Sequence, residues 1–208
     1  MARWLGVALL PCADHTRSAI RLQKNLGGDR PLRPLLSEEG NLPHLTVFQG
    51  PFADSLEPER ELARISASVS LPDELSLASA GIVHQSTGWL FMSVERPVLL
   101  QKLQETVVDR LAPHLDREAF DTSKDTSRFT EAEWASFAQY GYRYTGDAYA
   151  PHITLGRTEE DTALELVRTA PERIHVPEEW TFDRLSFYVM GEYGAHAEKI
   201  AELPLASA

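Results

Sequence analysis

The chain has 208 residues, of which 43% are apolar and 25% are charged, a composition typical of a folded globular protein. Its formal net charge of −11, from 31 acidic and 20 basic side chains, argues against a protein that binds long nucleic acid, because such binding needs a basic surface. The single cysteine, Cys12, excludes an intrachain disulfide and a thiolate-rich metal site. No apolar stretch is long enough to span a bilayer.

Apolar and turn residues predict alternating strands and helices along the first half of the chain. The apolar run at residues 4–10 predicts a buried strand rather than a short secretion signal, since Pro11 ends it at the lower limit of a signal's length. A helix closed by two glycines is expected at residues 14–26. The next predicted elements are a strand at 44–49, a helix at 57–69 and a hairpin of residues 75–84 and 89–95.

The second half has a similar order of elements. Its predicted elements are a helix at 98–111, a strand at 152–155, a helix at 159–169 and two β-rich runs at 181–190 and 197–203. The order strand–helix–strand–strand thus occurs twice. This repetition predicts a single α+β domain made of two pseudo-symmetric lobes, about residues 1–96 and 97–208.

Residues 113–149 separate the helix of the second half from its strand and match neither element type. A polar segment at 121–128 predicts a loop, and aromatic residues are concentrated after it. These are Phe129, Trp134, Phe137, Tyr140, Tyr142, Tyr144 and Tyr149. Two interpretations are open: an insertion that packs on the rim of the core, or a lid that stacks on a nucleobase.

The most informative feature is a repeated pentapeptide. The segment PHLTV at residues 43–47 recurs as PHITL at residues 151–155. Of the seven histidines in the chain, only those in these two segments have a threonine two positions later. Because successive side chains of a strand point to opposite faces, each histidine shares a face with its threonine, roughly 7 Å away, while the aliphatic residues face a core.

Two such strands brought together would line a pocket with the imidazoles of His44 and His152 and the hydroxyls of Thr46 and Thr154. One imidazole can take a proton from an attacking oxygen while the other, protonated, gives a proton to a leaving oxygen. The hydroxyls can donate to the non-bridging oxygens of a phosphate. This chemistry requires no metal, and a zinc site built from the histidines would leave the threonines without a role.

The pair HLTV and HITL resembles the two H-x-T-hydrophobic signatures of the two-histidine (2H) phosphoesterase superfamily. The segment PHITLGR at residues 151–157 resembles the second motif of its 2′-5′ RNA ligase/cyclic phosphodiesterase branch. The resemblance implies a bilobal α+β fold with antiparallel sheets facing a central cleft and helices outside. It also implies that His44 and His152 are the acid–base pair and that Thr46 and Thr154 bind phosphate. The continuation FQGPF after the first motif departs from the Phe-Leu-Gly of that branch.

The resemblance implies an enzyme, a cyclic nucleotide phosphodiesterase that acts without metal or cofactor on 2′,3′-cyclic phosphates or related phosphodiesters. Its expected partner is a nucleotide or short RNA substrate, with no long nucleic acid and no membrane, and it is expected to be a cytoplasmic monomer. Two alternatives remain open. One is joining of RNA ends through 2′-5′ linkages, and the other is a non-catalytic nucleotide-binding module.

Four further residues are candidates for the site, each with a structural alternative. Arg157 can reach a phosphate or can be a surface charge at a strand end. Arg143 can contact a phosphate or base, or form an exposed salt bridge. Tyr149 and Tyr144 can line the pocket, or pack. The other histidines are expected at the surface or in structural hydrogen bonds: His15, His84, His114, His175 and His196.

Overall fold

The computed structural model describes residues 2–206 and contains one antiparallel sheet with helices packed on it. The α+β class expected from the sequence is therefore confirmed. In chain order the elements are β1 (Arg3–Pro11), α1 (Ala13–Gly27), β2 (Leu45–Phe52), α2 (Pro58–Ser68), β3 (Leu75–Gln85), β4 (Trp89–Val94), α3 (Val98–Leu111), α4 (Glu131–Tyr140), β5 (His152–Arg157), α5 (Glu160–Arg173), β6 (Glu179–Met190) and β7 (His196–Pro204).

The strands form a closed ring. Its order is β2, β5, β4, β3, β6 and β1, and β1 closes the ring by pairing with both β6 and β2, while β7 pairs with β6. Helices α1 and α5 pack on β3, β4 and β5, and helices α2 and α3 pack on β2, β6 and β7. Within residues 2–206, no helix combines the length and the apolar character needed to cross a membrane.

The strand pairing crosses the boundary expected near residue 96. The predicted order strand–helix–strand–strand is present twice, as β2-α2-β3-β4 and as β5-α5-β6-β7. Each hairpin, however, joins the other half: β4 pairs with β5, and β6 pairs with β1, the neighbour of β2. The strands of each sequence half therefore do not form a separate sheet. The division into two lobes stays a prediction.

Helix α4 forms within the aromatic segment that matched no simple pattern. Thr130 and Glu133 build a capping box at its start, since each side chain accepts from the other residue's backbone N–H. Gly141, with φ +67°, ends the helix in the left-handed conformation. The insertion at 113–149 is therefore partly helical.

The β3–β4 turn packs tightly against the backbone just before α5, which favours a glycine in the turn. Gly88 has φ +81°, and a Cβ at this position would lie 1.9 Å from the carbonyl oxygen of Thr158. We expect Gly88→Ala to destabilise the protein by about 2–3 kcal/mol, which is about 4–12 °C in Tm for a chain of this size. Thermal unfolding measures the change.

The matched control is Gly28→Ala. Gly28 also has positive φ, +54°, but a Cβ there would meet nothing within 4 Å. This control carries the conformational cost without the collision, so its Tm should fall by less. Equal losses of Tm in both variants would show that the contact with Thr158 does not matter.

Candidate active site

The structure pairs the two motif strands with each other. Leu45 of β2 lies opposite Ile153 of β5 in an antiparallel register. Continuing that register by one residue on each side places His44 opposite Thr154 and Thr46 opposite His152. Directly opposed residues have Cβ atoms about 5 Å apart and diagonal neighbours are about 7–8 Å apart. The two histidines therefore lie on a diagonal, at a separation that suits one phosphate group between them.

A β-bulge follows the threonine in each motif strand. On β2 the register with β1 shifts so that Val47 is the extra residue, and on β5 the register with β4 shifts so that Leu155 is the extra residue. Because each bulge adds one residue, the side chains that follow it point to the face opposite the one that simple alternation predicts. Consequently Gln49 and Arg157, each three positions after its threonine, line the same cleft as the threonines.

The two imidazoles are held in the same way. The Nδ1 atom of His44 lies 2.8 Å from the Leu42 carbonyl oxygen, and that of His152 lies 2.7 Å from the Ala150 carbonyl oxygen. A carbonyl oxygen can only accept, so Nδ1 carries the hydrogen in both rings. The Nε2 atom of each ring is therefore the one that can exchange a proton with a ligand.

Aromatic rings fix the orientation of each imidazole. Phe91 stacks on His152 with ring centroids 3.9 Å apart and an interplanar angle of 17°, and Tyr144 meets it edge-on at 5.5 Å. On the other side, His44 contacts Tyr188 at 5.2 Å and His196 at 5.7 Å. These contacts restrict ring rotation, which keeps both Nε2 atoms in place.

Burial lowers the pKa of both catalytic candidates. Together, burial, which is the largest cause, and the charges of His44 and Arg143 lower the pKa of His152 from 6.5 to about 4, against the opposing effect of the Ala150 carbonyl. Burial likewise lowers the pKa of His44, although the carbonyls of Leu42 and Gly194 oppose this shift. Both rings are therefore mainly neutral at pH 7 in the free protein.

A cleft of about 990 Å³ opens beside the paired motifs. Its lining includes Thr46, His152 and Thr154, whereas His44 is 6% exposed and lies against the rings just described. The insertion at residues 113–149 supplies a wall of this cleft, with Phe129, Phe137 and the segment 141–144. The cleft wall thus combines cationic, hydroxyl and aromatic groups, the types of contact that phosphate and nucleobase need.

A family model described as the 2′-5′ RNA ligase superfamily matches residues 20–194, which include both motifs. The chain belongs to this superfamily. The resemblance to two-histidine phosphoesterases drawn from the motifs is thereby confirmed, and members of the superfamily are enzymes that act on phosphodiester bonds. Comparison with curated proteins found no match.

Solved structures share the fold of this superfamily member at low identity. E. coli LigT complexed with 3′-AMP is 16% identical with a TM-score of 0.57, and the match covers 100% of both chains. LigT in apo form is 15% identical with a TM-score of 0.55, covering 100% of this chain and 99% of LigT. TT0787 of Thermus thermophilus is 15% identical with a TM-score of 0.56, covering 99% of this chain and 98% of TT0787.

Arg143 lies in the cleft wall, where its guanidinium group already contacts several protein side chains. Its guanidinium pairs with Glu133 at 2.7 Å, with side chains only 15% and 14% exposed, and lies 4.4 Å from the Phe129 ring centroid and 5.1 Å from that of Tyr144. With its side-chain oxygen turned towards them, Gln85 also accepts from Arg143 at 2.6 Å and from the Tyr144 hydroxyl at 3.1 Å. The salt bridge expected at the surface is thus largely buried.

The remaining candidates separate into one that lines the cleft and one that supports it. Arg157 is exposed at the end of β5 and lines the cleft, and its Nε donates to the Thr87 carbonyl at 2.6 Å. Tyr149 is 3% exposed, so no ring face is open to a base, and its hydroxyl lies 3.4 Å from the Thr46 carbonyl oxygen. Tyr149 therefore packs beneath the first motif.

Three of the other histidines have structural contacts. His196 is fully buried, stacks on Tyr188 at 4.4 Å and lies 2.9 Å from the Ser186 hydroxyl. His84 contacts Glu160 at 3.2 Å, and His15 accepts from the Thr181 backbone N–H at 2.8 Å. Among residues 2–206, no group of three His, Cys, Asp or Glu side chains is placed to hold a metal ion.

The sequence did not single out several residues that shape the site. Phe91 and Tyr188 orient the two imidazoles, and Gln49 occupies the position on β2 that Arg157 occupies on β5. The hydroxyl of Tyr188 lies 3.4 Å from the Gln49 side-chain oxygen. Of these residues, only Gln49 could have been found from the sequence, because it lies three positions after its motif threonine, as Arg157 does.

Proposed function

We propose that this protein hydrolyses 2′,3′-cyclic phosphates of nucleotides or short RNA ends by two-histidine general acid–base catalysis, without a metal. The observation that carries this proposal is the matched geometry of His44 and His152. Each ring donates Nδ1–H to the carbonyl two residues earlier, which leaves Nε2 of each ring as the nitrogen that can take or give a proton. Two such imidazoles on diagonal positions of paired strands suit one base and one acid on either side of a phosphorus atom.

The proposed reaction moves one proton at each end of the phosphate. Nε2 of the unprotonated histidine takes a proton from water as the water oxygen bonds to phosphorus. The bond from phosphorus to one ribose oxygen breaks, and Nε2 of the protonated histidine supplies the proton that this oxygen needs. The hydroxyls of Thr46 and Thr154 donate to the non-bridging oxygens, where negative charge increases in the transition state. The two histidines exchange protonation states, which solvent then resets.

The lining of the cleft supports a nucleotide-like substrate. The chain has a net charge of −11, yet the cleft lining includes Lys124, Arg128, Arg143 and Arg157 against Asp121 and Asp125. Local cations in an acidic protein favour a small anion over long nucleic acid. E. coli LigT, which shares the fold, has been crystallised with 3′-AMP. Aromatic groups of the insertion also line the cleft, which supports contact with a base.

The pH dependence of kcat/KM follows from the lowered pKa values. The working form has one protonated and one neutral imidazole, and kcat/KM reports this form in the free enzyme. Because the pKa of His152 is lowered to about 4 and that of His44 also lies below 6.5, each ring gains its proton only at acidic pH. We expect kcat/KM to be maximal below pH 6.5 and to fall as the pH rises through 8.

Steady-state kinetics between about pH 4 and pH 9 at constant ionic strength will measure this profile. A cyclic phosphodiester does not titrate in that range, so the rising and falling parts of the pH profile report ionising groups of the enzyme. A maximum at pH 7.5 or above would contradict the lowered pKa values.

Hydrolysis and end joining can be separated with a single substrate mixture. The protein is incubated with short RNA fragments, one ending in a 2′,3′-cyclic phosphate and one beginning with a 5′-hydroxyl. The proposal predicts loss of the cyclic end with no change in chain length, whereas joined products would show the ligase alternative. Cytoplasmic location and the monomeric state stay predictions.

A further inference from the structure

A second cavity of about 790 Å³ adjoins the catalytic cleft. The two cavities share part of their lining, namely Thr87, Arg128, Arg157 and Tyr193. The second cavity adds Arg33, so three guanidinium groups line it, against the carboxylates of Glu159 and Glu160. A concave basic site in a chain of net charge −11 requires a physical explanation.

Two of these arginines lie directly opposite each other on neighbouring backbone segments. Arg33 donates its N–H to the Arg157 carbonyl at 3.1 Å, and Arg157 donates its N–H to the Arg33 carbonyl at 2.7 Å. The close approach depends on Gly156, where a Cβ would lie 3.0 Å from the Arg33 carbonyl oxygen. Like charges directly opposite each other destabilise a strand pair. In the part of the chain that the structure describes, Arg33 has no ion-pair partner.

Arg157 is held in place rather than left mobile. The turn residue Thr87, with φ +71°, directs its carbonyl to the Nε of Arg157 at 2.6 Å. The guanidinium carbon lies 6.0 Å from the ring centroids of both Trp89 and Tyr193. A left-handed threonine is strained, and such strain is found where function requires a fixed geometry. The Arg157 residue lines both cavities.

The two ends of the cleft differ in charge. Gln49 and Arg157 occupy equivalent positions after the two bulges, but Gln49 is neutral and lies beside the Tyr188 hydroxyl, whereas Arg157 is accompanied by Arg33 and Arg128. Arg157 is three residues along β5 from Thr154, and the bulge at Leu155 keeps them less than roughly 10 Å apart along the strand. This separation is of the order of one nucleotide unit.

We propose that Arg33, Arg128 and Arg157 form a subsite for a second phosphate of the substrate, one nucleotide unit from the phosphate between the histidines. The subsite rests on the proposed function, since it takes the reacting phosphate to lie at the motifs. Its ligand is a nucleotide that carries a further phosphate, either a monoester or an internucleotide diester. An anion between Arg33 and Arg157 relieves their repulsion and forms charge-assisted hydrogen bonds.

Calorimetry with adenosine 3′-monophosphate and adenosine 3′,5′-bisphosphate tests the subsite without relying on turnover. We expect the wild type to bind the bisphosphate about tenfold to a hundredfold more tightly, as charge-assisted hydrogen bonds to one phosphate would give. In Arg33→Ala and in Arg128→Ala the ratio of the two affinities should fall towards one. Arg60→Ala removes an exposed arginine of α2 that pairs only with Glu57 among the described residues, and should keep the wild-type ratio.

The outcomes separate the two proposals. If the monophosphate binds and the bisphosphate gains nothing, or if the gain survives in Arg33→Ala and Arg128→Ala, the subsite is refuted and the proposed function stands. If neither ligand binds, the subsite is refuted, and hydrolysis of a 2′,3′-cyclic nucleotide decides the proposed function separately. A third ligand, the dinucleotide ApAp, carries an internucleotide diester in place of the 5′-phosphate. A gain with either probe supports the subsite, and the larger gain shows which phosphate it takes.

Discussion

Replacing either His44 or His152 with alanine is expected to lower kcat on a 2′,3′-cyclic nucleotide by about 10²–10⁴-fold, the usual contribution of a positioned acid or base. The two variants should lose similar factors, because the paired strands hold both rings by the same Nδ1 bond and the reaction needs a proton transfer at each end of the phosphate. Initial rates at saturating substrate, measured on both variants at the same pH, give the comparison.

The control for the histidine variants is His175→Ala, which removes an exposed histidine outside the cleft. It should retain wild-type turnover. Thermal unfolding of all three variants shows whether the fold survives, which is a concern for buried His44. A folded His44→Ala or His152→Ala protein with full activity would refute the acid–base assignment.

Replacing either threonine of the motifs with valine is expected to lower kcat by about 10²-fold, as when a donor to the developing charge is removed in other enzymes. Valine keeps the shape of threonine but cannot donate to a non-bridging oxygen. Continuing the Leu45–Ile153 register places Thr46 and Thr154 opposite the histidines, so each hydroxyl is expected beside the phosphate. The loss should appear in kcat more than in KM, because the charge increases only in the transition state.

Serine is the matched replacement for each threonine. Thr46→Ser and Thr154→Ser retain a hydroxyl at the same carbon and should recover most of the activity that the valine variants lose. If serine and valine variants lost activity equally, the hydroxyls would have a packing role rather than a role in phosphate binding.

Much of the fold could be predicted from local patterns, but the pairing of its strands could not. The apolar run of β1 and the repeated order of elements are local signals, and both are found in the structure. Pairing of the β3–β4 hairpin with β5, rather than with β2, depends on contacts between residues distant in the chain. No local pattern specifies such contacts, so the boundary expected near residue 96 does not separate the sheet.

Within the site, the motifs could be predicted and the bulges could not. Simple alternation places Gly156 rather than Arg157 on the face of Thr154. The structure reverses this, because Leu155 is an extra residue in β5, and the same shift on β2 brings Gln49 to the cleft. A bulge depends on how the neighbouring strand pairs, so the sequence could suggest Arg157 only through its position after the second motif, with a surface charge as the alternative.

The residues that orient the imidazoles were missed for a related reason. Phe91 and Tyr188 are ordinary aromatic residues of strands, and only tertiary packing brings them against His152 and His44. For Tyr149 the sequence left two alternatives, lining the pocket or packing, and the structure shows packing beneath the first motif. Sequence proximity to a motif is therefore a weak guide to the cleft lining.

The most direct test of the central claim is hydrolysis of the four nucleoside 2′,3′-cyclic monophosphates by the wild-type protein with EDTA present. Two imidazoles and two hydroxyls suffice for the proposed chemistry, so turnover should persist in the chelator and should vanish in a His44→Ala, His152→Ala double variant that remains folded. Turnover abolished by EDTA, or equal in wild type and double variant, would contradict metal-independent catalysis by these two histidines.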